Sequence, residues 1–417
     1  MTQLNNPSKE RIATVEILLA VMSGKKMDRL IESFPSEGIK KNQIYNLCYG
    51  VVRHQYAFKK YIESKAKKTV TTKTLVIMEL ALFELIYNTS SKSYAVISEA
   101  LKLMDHFKEA KAKPFVNAVL ANFSRNAEQE KEQLKKLPLY HSVIVKEAEA
   151  VFANKAELVL NAFMTPSPFF ILINEQRTSL EQLFDSFLKQ GIDVKKVEQQ
   201  GVNTISTFDR AIFKTSEFEE GHFLIQDLSS QIAVTKLEPF KGMKMLDVCS
   251  APGGKAIKAA ILSKDQASIT AIDKSAARLL RMHENINRLG LKSVEVVNQD
   301  MGIFEFIKEG YDRVIVDPPC SALGVLARNP DIALRESSEN WKPLPEIQLN
   351  ILLKGLDALK VGGKLVYSVC TFRRVETVDI VSNALTERRN IKKTFEFLTV
   401  PNDVNMDGLY IAVLEKK

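Results

Sequence analysis

The sequence predicts a multidomain chain: an all-α bundle, a small α/β unit, and a C-terminal α/β domain built on a parallel sheet. Three observations predict it. Apolar residues recur at helical spacing through residues 8–125. Pro166 and Pro168 then break the helical pattern, and short strand-like runs follow. Beyond Gly242, strands and helices alternate regularly, the mark of a sheet covered on both faces. A chain of 417 residues exceeds one ordinary core, and the boundaries are expected at 1–127, 128–220 and 221–417.

The bulk properties narrow the class. With 45% hydrophobic and 26% charged residues, the composition is that of a soluble globular protein. A net charge of +8 permits a polyanionic partner. No apolar run approaches the roughly 20 residues a membrane helix needs, so no membrane partner and a cytoplasmic location are expected. Cys48, Cys249, Cys320 and Cys370 show no CxxC spacing and no paired histidines. Neither a metal site nor a disulfide framework is indicated, and any cysteine that matters does so as a thiol.

In the first part, Ile12, Val15, Ile17, Leu18, Leu19 and Val21 make one apolar stripe. Leu75, Ile77, Met78, Leu80, Ala81, Leu82, Leu85 and Ile86 make another, apolar nearly all round and therefore central. A polar breaker is expected at residues 88–93, and Lys113-Pro114 marks a helix start. Cys48 reads as core, His54 and His106 as surface or capping. The charged run at residues 127–136 reads as a linker or solvated helix end. Next come a helix at 143–163, a strand at 169–173 and a helix at 179–190. Short strands are expected at 194–197, 205–208 and 211–214. The last part carries strands near 244–248, 269–272, 294–297, 313–316 and 364–369, with two closing strands at 394–400 and 409–414.

In open α/β sheets ligands bind outside the carboxyl ends of the strands, so those ends carry the chemistry. After the first strand, Cys249, Ser250, Ala251, Pro252, Gly253, Gly254 and Lys255 form a turn of small residues leading into a helix. The glycines let backbone approach a ligand, and the helix start offers unpaired N–H groups. The pattern is neither GxGxxG nor a GK[ST] phosphate loop. Asp273 ends the second strand, where a carboxylate accepts from ribose hydroxyls, and Asp300 ends the third, where it can accept from an adenine amino group. Aspartate at a strand end also caps helices. At successive ends the pair indicates an adenosine-bearing cofactor, with NAD and S-adenosylmethionine both open.

The fourth strand ends in Asp317, Pro318, Pro319 and Cys320, and the fifth in Cys370. Two thiols at neighbouring strand ends suit methylation at position 5 of cytosine. That carbon is not nucleophilic until a thiolate has added to position 6, so covalent catalysis is required. Asp317 can stabilise charge developing on the base. Arg373 and Arg374 follow closely enough to lower a thiol pKa.

On these motifs the chain resembles the bacterial Sun-type, RsmB-like 16S ribosomal RNA cytosine-C5 methyltransferases. The resemblance rests on FVNAVLANFSR at 115–125, GHFLIQDLSSQIA at 221–233, DVCSAPGGK, DPPCSALGV and RNPDI at 328–332. It implies a NusB-like RNA-binding N-terminal bundle, a small middle domain and a Rossmann-type methyltransferase domain. It further implies S-adenosylmethionine held by residues 249–255 with Asp273, Asp300 and Asp317, Cys370 as nucleophile, and Cys320 in release of the methylated RNA. Leu172, Ile173 and Asn174 stand where the family often has Arg-Val-Asn, and Ala327-Arg328 where a double arginine is usual.

The expected product is 5-methylcytidine in small-subunit ribosomal RNA, formed by a monomer. Transfer RNA is the alternative substrate, and an inactive RNA-binding scaffold the alternative function. An amino-group methyltransferase is the third class, but it would give Cys370 no task. Lys255, Arg328, Arg373, Arg374, Arg388, Arg389, Lys392 and Lys393 are the candidate RNA contacts, with Phe372 as a stacking surface. Trp341, among prolines, is expected to pack a loop.

Overall fold

The computed structural model describes residues 6–35, 38–88, 91–301, 304, 306–335, 338–401 and 404–417. It divides into two compact units, Met1–Lys146 with Asn329–Ser337, and Glu147–Arg328 with Ser338–Lys417.

The first unit is helical: α1 (Lys9–Met22), α2 (Met27–Ser33), α3 (Lys41–Lys65), α4 (Thr72–Tyr87), α5 (Ser93–His106), α6 (Lys113–Arg125) and α7 (Ala127–Lys135). The Thr71 hydroxyl caps α4 by accepting from the Thr74 N–H. Every residue from Leu75 to Phe83 on that helix is buried, as expected of a central helix. Two carboxylates buried with it are satisfied differently. Glu84 takes the Arg11 guanidinium at 2.6 Å. Glu79 takes only the Gln55 amide at 2.9 Å, and burial pushes its pKa well up. Residues 89–90 of the expected polar breaker lie outside the described residues.

Cys48 is core as expected, with burial raising its thiol to about 12. His54 is not a surface residue. It stacks on Tyr87 with ring centroids 4.8 Å apart, and burial lowers its pKa to about 4. Residues 127–136, expected as a linker or a solvated helix end, are helical: α7 covers Ala127–Lys135, mostly exposed and anchored by Glu130, whose buried carboxylate accepts from Tyr61, Lys65 and Asn122. Helices α8 (Ser142–Phe152) and α9 (Ala156–Ala162) replace the single expected run, interrupted by a short 3₁₀ turn at Ala153–Lys155.

The second unit holds two sheets. The smaller contains β1 (Phe169–Ile173), β2 (Lys195–Gln199), β3 (Val202–Thr207) and β4 (Phe223–Ile225), antiparallel in the order β2-β3-β1-β4. Helix α10 (Leu180–Lys189) covers one face, started by a capping box between Ser179 and Gln182. The strand expected at 211–214 is instead a 3₁₀ turn, Arg210–Lys214, capped by Asp209. A short α11 (Ser216–Glu219) precedes β4.

The larger sheet contains β5 (Lys244–Val248), β6 (Ser268–Asp273), β7 (Val294–Asn298), β8 (Tyr311–Val316), β9 (Leu359–Val369), β10 (Ile391–Leu398) and β11 (Tyr410–Lys416). The order is β10-β11-β9-β8-β5-β6-β7, with β9, β8, β5, β6 and β7 parallel and β11 antiparallel to both of its neighbours, β9 and β10. The remaining helices are α12 (Leu228–Leu237), α13 (Gly254–Leu262), α14 (Ala276–Leu289), α15 (Ile332–Arg335), α16 (Ser338–Trp341), α17 (Leu344–Ala358) and α18 (Val378–Glu387), α15 clustering with the helical unit.

Alternation along the strands divides the core in two. Met245, Ile269, Ile315 and Val366 face one way with α12 and α13, and share a cluster with Phe170 and Leu172 of the small sheet. Leu246, Val248, Val314 and Val316 face α17 and α18. The chain passes from β5 to β6 and β7 on one side, then returns to β8 on the other. The switch point therefore lies between β5 and β8.

Candidate active site

The segment after β5 turns tightly. Cys249 takes φ +59°, Gly253 takes φ +98°, and α13 begins at Gly254. A Cβ on Gly253 would lie 2.5 Å from the Met282 side chain, which explains the requirement for glycine there. The Ser250 hydroxyl donates to Asp247 at 2.7 Å. Asp247 is fully buried, and burial raises its carboxyl to about 7 despite that bond. Burial also raises Cys249, to about 12, so this thiol stays protonated.

Asp273 organises the loop. Its carboxylate accepts from the Ala251 N–H at 3.1 Å and the Ser275 N–H at 2.8 Å, and Arg278 lies 3.4 Å away. Each oxygen keeps acceptor capacity, since a carboxylate offers about four lone-pair sites. Asp300 stands just beyond β7, half exposed and 3.7 Å from Lys274. A small-residue loop, a helix N-terminus and acids beyond β6 and β7 fit an adenosine-bearing cofactor. The donors and acceptors face one edge of the sheet and no Cβ intrudes at Gly253.

Across the switch point, Lys255 at the start of α13 reaches Asp317 at the end of β8, with Nζ 2.7 Å from Oδ2. The other Asp317 oxygen accepts from the Ser368 hydroxyl at 3.1 Å. Burial opposes charge on Lys255, but Asp317, then Asp247 and the Cys370 sulfur, raise its pKa overall. Lys255 is therefore a charged ammonium whose field reaches Cys370.

The two thiols meet. Cys320 Sγ lies 3.3 Å from Cys370 Sγ. The hydrogen bond to Cys370, burial, and the negative charges of Cys370 and Glu376 push Cys320 well above the ordinary thiol range. Either sulfur can donate to the other. The Gly324 N–H donates to the Cys370 carbonyl at 2.9 Å, and the Gly408 N–H donates to the Gly324 carbonyl at 2.7 Å. A Cβ on Gly324 would sit 2.0 Å from the Gly408 oxygen.

Several expected contacts are spent inside the protein. Arg373 does not face Cys370. It pairs with Glu376 at 2.9 Å and Glu147 at 3.1 Å, and lies 4.7 Å over the buried Trp341 ring. Arg374 turns to Asp379. Arg328 is held between Asp227 and Asp407, 3.0 Å from each. Arg388 grips Asp357 with two nitrogens, Lys392 pairs with Glu415, and Lys393 with Glu396. Phe372 is 2% exposed between Phe152 and Phe163, so it offers no stacking face. Lys255 pairs with Asp317, and Arg389 is exposed. Asn174 is buried and donates to the Gly221 and Leu289 carbonyls. Sequence reasoning missed Ser368, Gln348 and Glu376, whose spacing carries no signal until the loops are folded together. Among the described residues no cluster of histidine, cysteine or acids could hold a metal ion, and no helix is long and apolar enough to cross a membrane.

Comparison with known proteins matches this arrangement. Residues 234–415 fit the family model for 16S rRNA methyltransferase RsmB/F, and residues 8–125 fit the NusB family. The chain is 27% identical over 409 residues to the probable ribosomal RNA small subunit methyltransferase B of Bacillus subtilis (strain 168), covering 92% of this chain and 91% of that protein. It is 30% identical over 282 residues to the 25S rRNA (cytosine-C(5))-methyltransferase nop2 of Schizosaccharomyces pombe (strain 972 / ATCC 24843), covering 60% of this chain and 46% of that protein. The crystal structure of PH0851 shares the fold with a TM-score of 0.79 at 19% identity, covering 98% of this chain and 99% of that one. Residues 234–415 thus match the 16S rRNA methyltransferase RsmB/F family, with a match to the NusB family ahead of them at residues 8–125.

Proposed function

We propose that the protein forms 5-methylcytidine in small-subunit ribosomal RNA through a covalent bond between Cys370 and cytosine C6. It acts in the cytoplasm as a monomer. The observation that carries the proposal is the meeting of the two sulfurs, 3.3 Å apart at the ends of neighbouring strands, beside the Lys255–Asp317 ion pair.

Residues 249–255 with Asp273, Asp300 and Asp317 would hold S-adenosylmethionine, which would supply an electrophilic methyl group and leave as S-adenosylhomocysteine. The Cys370 thiolate adds to C6 and breaks the C5–C6 double bond, which makes C5 nucleophilic. Asp317 offers a carboxylate to the exocyclic amine, and Lys255, 2.7 Å from it, offers an ammonium to the charge developing on the ring. Once C5 carries the methyl group, its proton passes to water, the double bond re-forms, and Cys370 leaves as a thiolate. The Cys320 S–H then donates to the departing sulfur and restores the resting pair. The target base must leave its stack to reach Cys370, which favours a single-stranded loop or helix end.

Incubation of purified protein with S-adenosylmethionine and unmodified small-subunit RNA tests this. Wild-type protein should turn over, Cys370→Ala should give neither product nor adduct, and Cys320→Ala should leave RNA bound covalently on a denaturing gel. Product formed by Cys370→Ala would contradict the assignment. Methylation of transfer RNA alone would move the substrate and keep the chemistry.

A further inference from the structure

Glu376 carries a fully buried carboxylate in the loop that follows Cys370. Its Oε2 accepts from the Ser321 backbone N–H at 3.0 Å and from the Gln348 amide at 2.8 Å. Its Oε1 accepts from Arg373 at 2.9 Å. Its own carbonyl accepts from the Tyr367 hydroxyl at 2.8 Å. Ser321 directly follows Cys320, and Arg373 lies on the loop beyond Cys370. One carboxylate therefore ties together the two loops that carry the thiols. The Ser321 and Thr371 hydroxyls, 2.8 Å apart, form a second tie between the residues immediately after the two cysteines.

Burying a carboxylate is costly, and here one cation and two neutral donors offset it. The negative charge it leaves beneath the Cys320 loop disfavours a second negative charge on Cys320. Arg373 is shared with Glu147 and covered by Trp341, so it neutralises Glu376 without reaching the thiols.

We propose that Glu376 is a positioning residue for the release step, holding the Cys320 thiol in register with Cys370 so that the methylated RNA is freed. The proposal rests on the covalent mechanism above. Without the tie, Cys370 still attacks and the methyl group still transfers, but the departing sulfur finds no S–H donor.

The test is turnover of the full chain with S-adenosylmethionine and small-subunit RNA, with the covalent adduct read on a denaturing gel. For Glu376→Gln, kcat should fall at least about 10-fold while the KM for S-adenosylmethionine stays within about twofold. Adduct should accumulate as it does in Cys320→Ala. A general loss of structure would instead lower adduct and cofactor affinity together. Should Glu376→Gln fail to fold, Gln348→Met removes one donor from the carboxylate and should give the same signature in milder form. Wild-type turnover and adduct levels in the folded variant, beside adduct in Cys320→Ala, would overturn the role of Glu376 alone. Absence of adduct from every variant, including Cys320→Ala, would overturn the covalent mechanism and this role with it.

Discussion

Replacing Lys255 with methionine keeps its buried stem but removes the ammonium that pairs with Asp317. A donor aimed at developing charge is worth roughly 10²-fold or more in rate, so single-turnover methylation by Lys255→Met should fall by about that factor with RNA binding retained. Asp247 tests the electrostatics of the same loop. Its carboxyl, raised by burial to about 7 in the folded protein, binds a proton that the unfolded chain has released above about 4. From about pH 4 to about pH 7 the folded state therefore holds the extra proton, and stability from this group falls as pH rises. Thermal melts between pH 5 and pH 8 should show that decline, and Asp247→Asn should weaken it.

At the scale of elements, the loop from β8 is pinned where two backbones touch at Gly324 and Gly408. Gly324→Ala should cost about 1–3 kcal/mol of stability, as overpacking does. It should also lower turnover more than cofactor binding, because the Gly324 N–H holds the Cys370 carbonyl. Calorimetric melts and steady-state kinetics check both halves.

The central strands of the large sheet were legible because both faces are buried, and β8 reads as an apolar run, Val314, Ile315 and Val316. The 3₁₀ turn at Arg210–Lys214 was not legible, because Ala211, Ile212 and Phe213 look like a strand while the Asp209 cap fixes a turn. The two sulfurs were legible as neighbours because adjacent strand ends converge. The tie between their loops was not, because Ser321, Gln348 and Arg373 meet at Glu376 only once the loops are folded. The direction of Arg373 was equally hidden, since a long side chain can turn either way from its backbone position.

For the whole molecule, a charge of +8 agrees with an RNA substrate. Arg328, Arg373 and Arg388 nevertheless spend their guanidinium groups on internal carboxylates. RNA affinity should fall steeply with salt through the remaining exposed cations, which binding at two ionic strengths measures. The helical unit takes in Asn329–Ser337 from the middle of the catalytic sequence, and Leu334 packs against its core.

The most direct measurement of the central claim is nucleoside mass spectrometry of small-subunit ribosomal RNA from cells with the gene, without it, and with Cys370→Ser. Loss of one 5-methylcytidine in both mutant strains is the predicted result. A full complement of that nucleoside in the Cys370→Ser strain would contradict it.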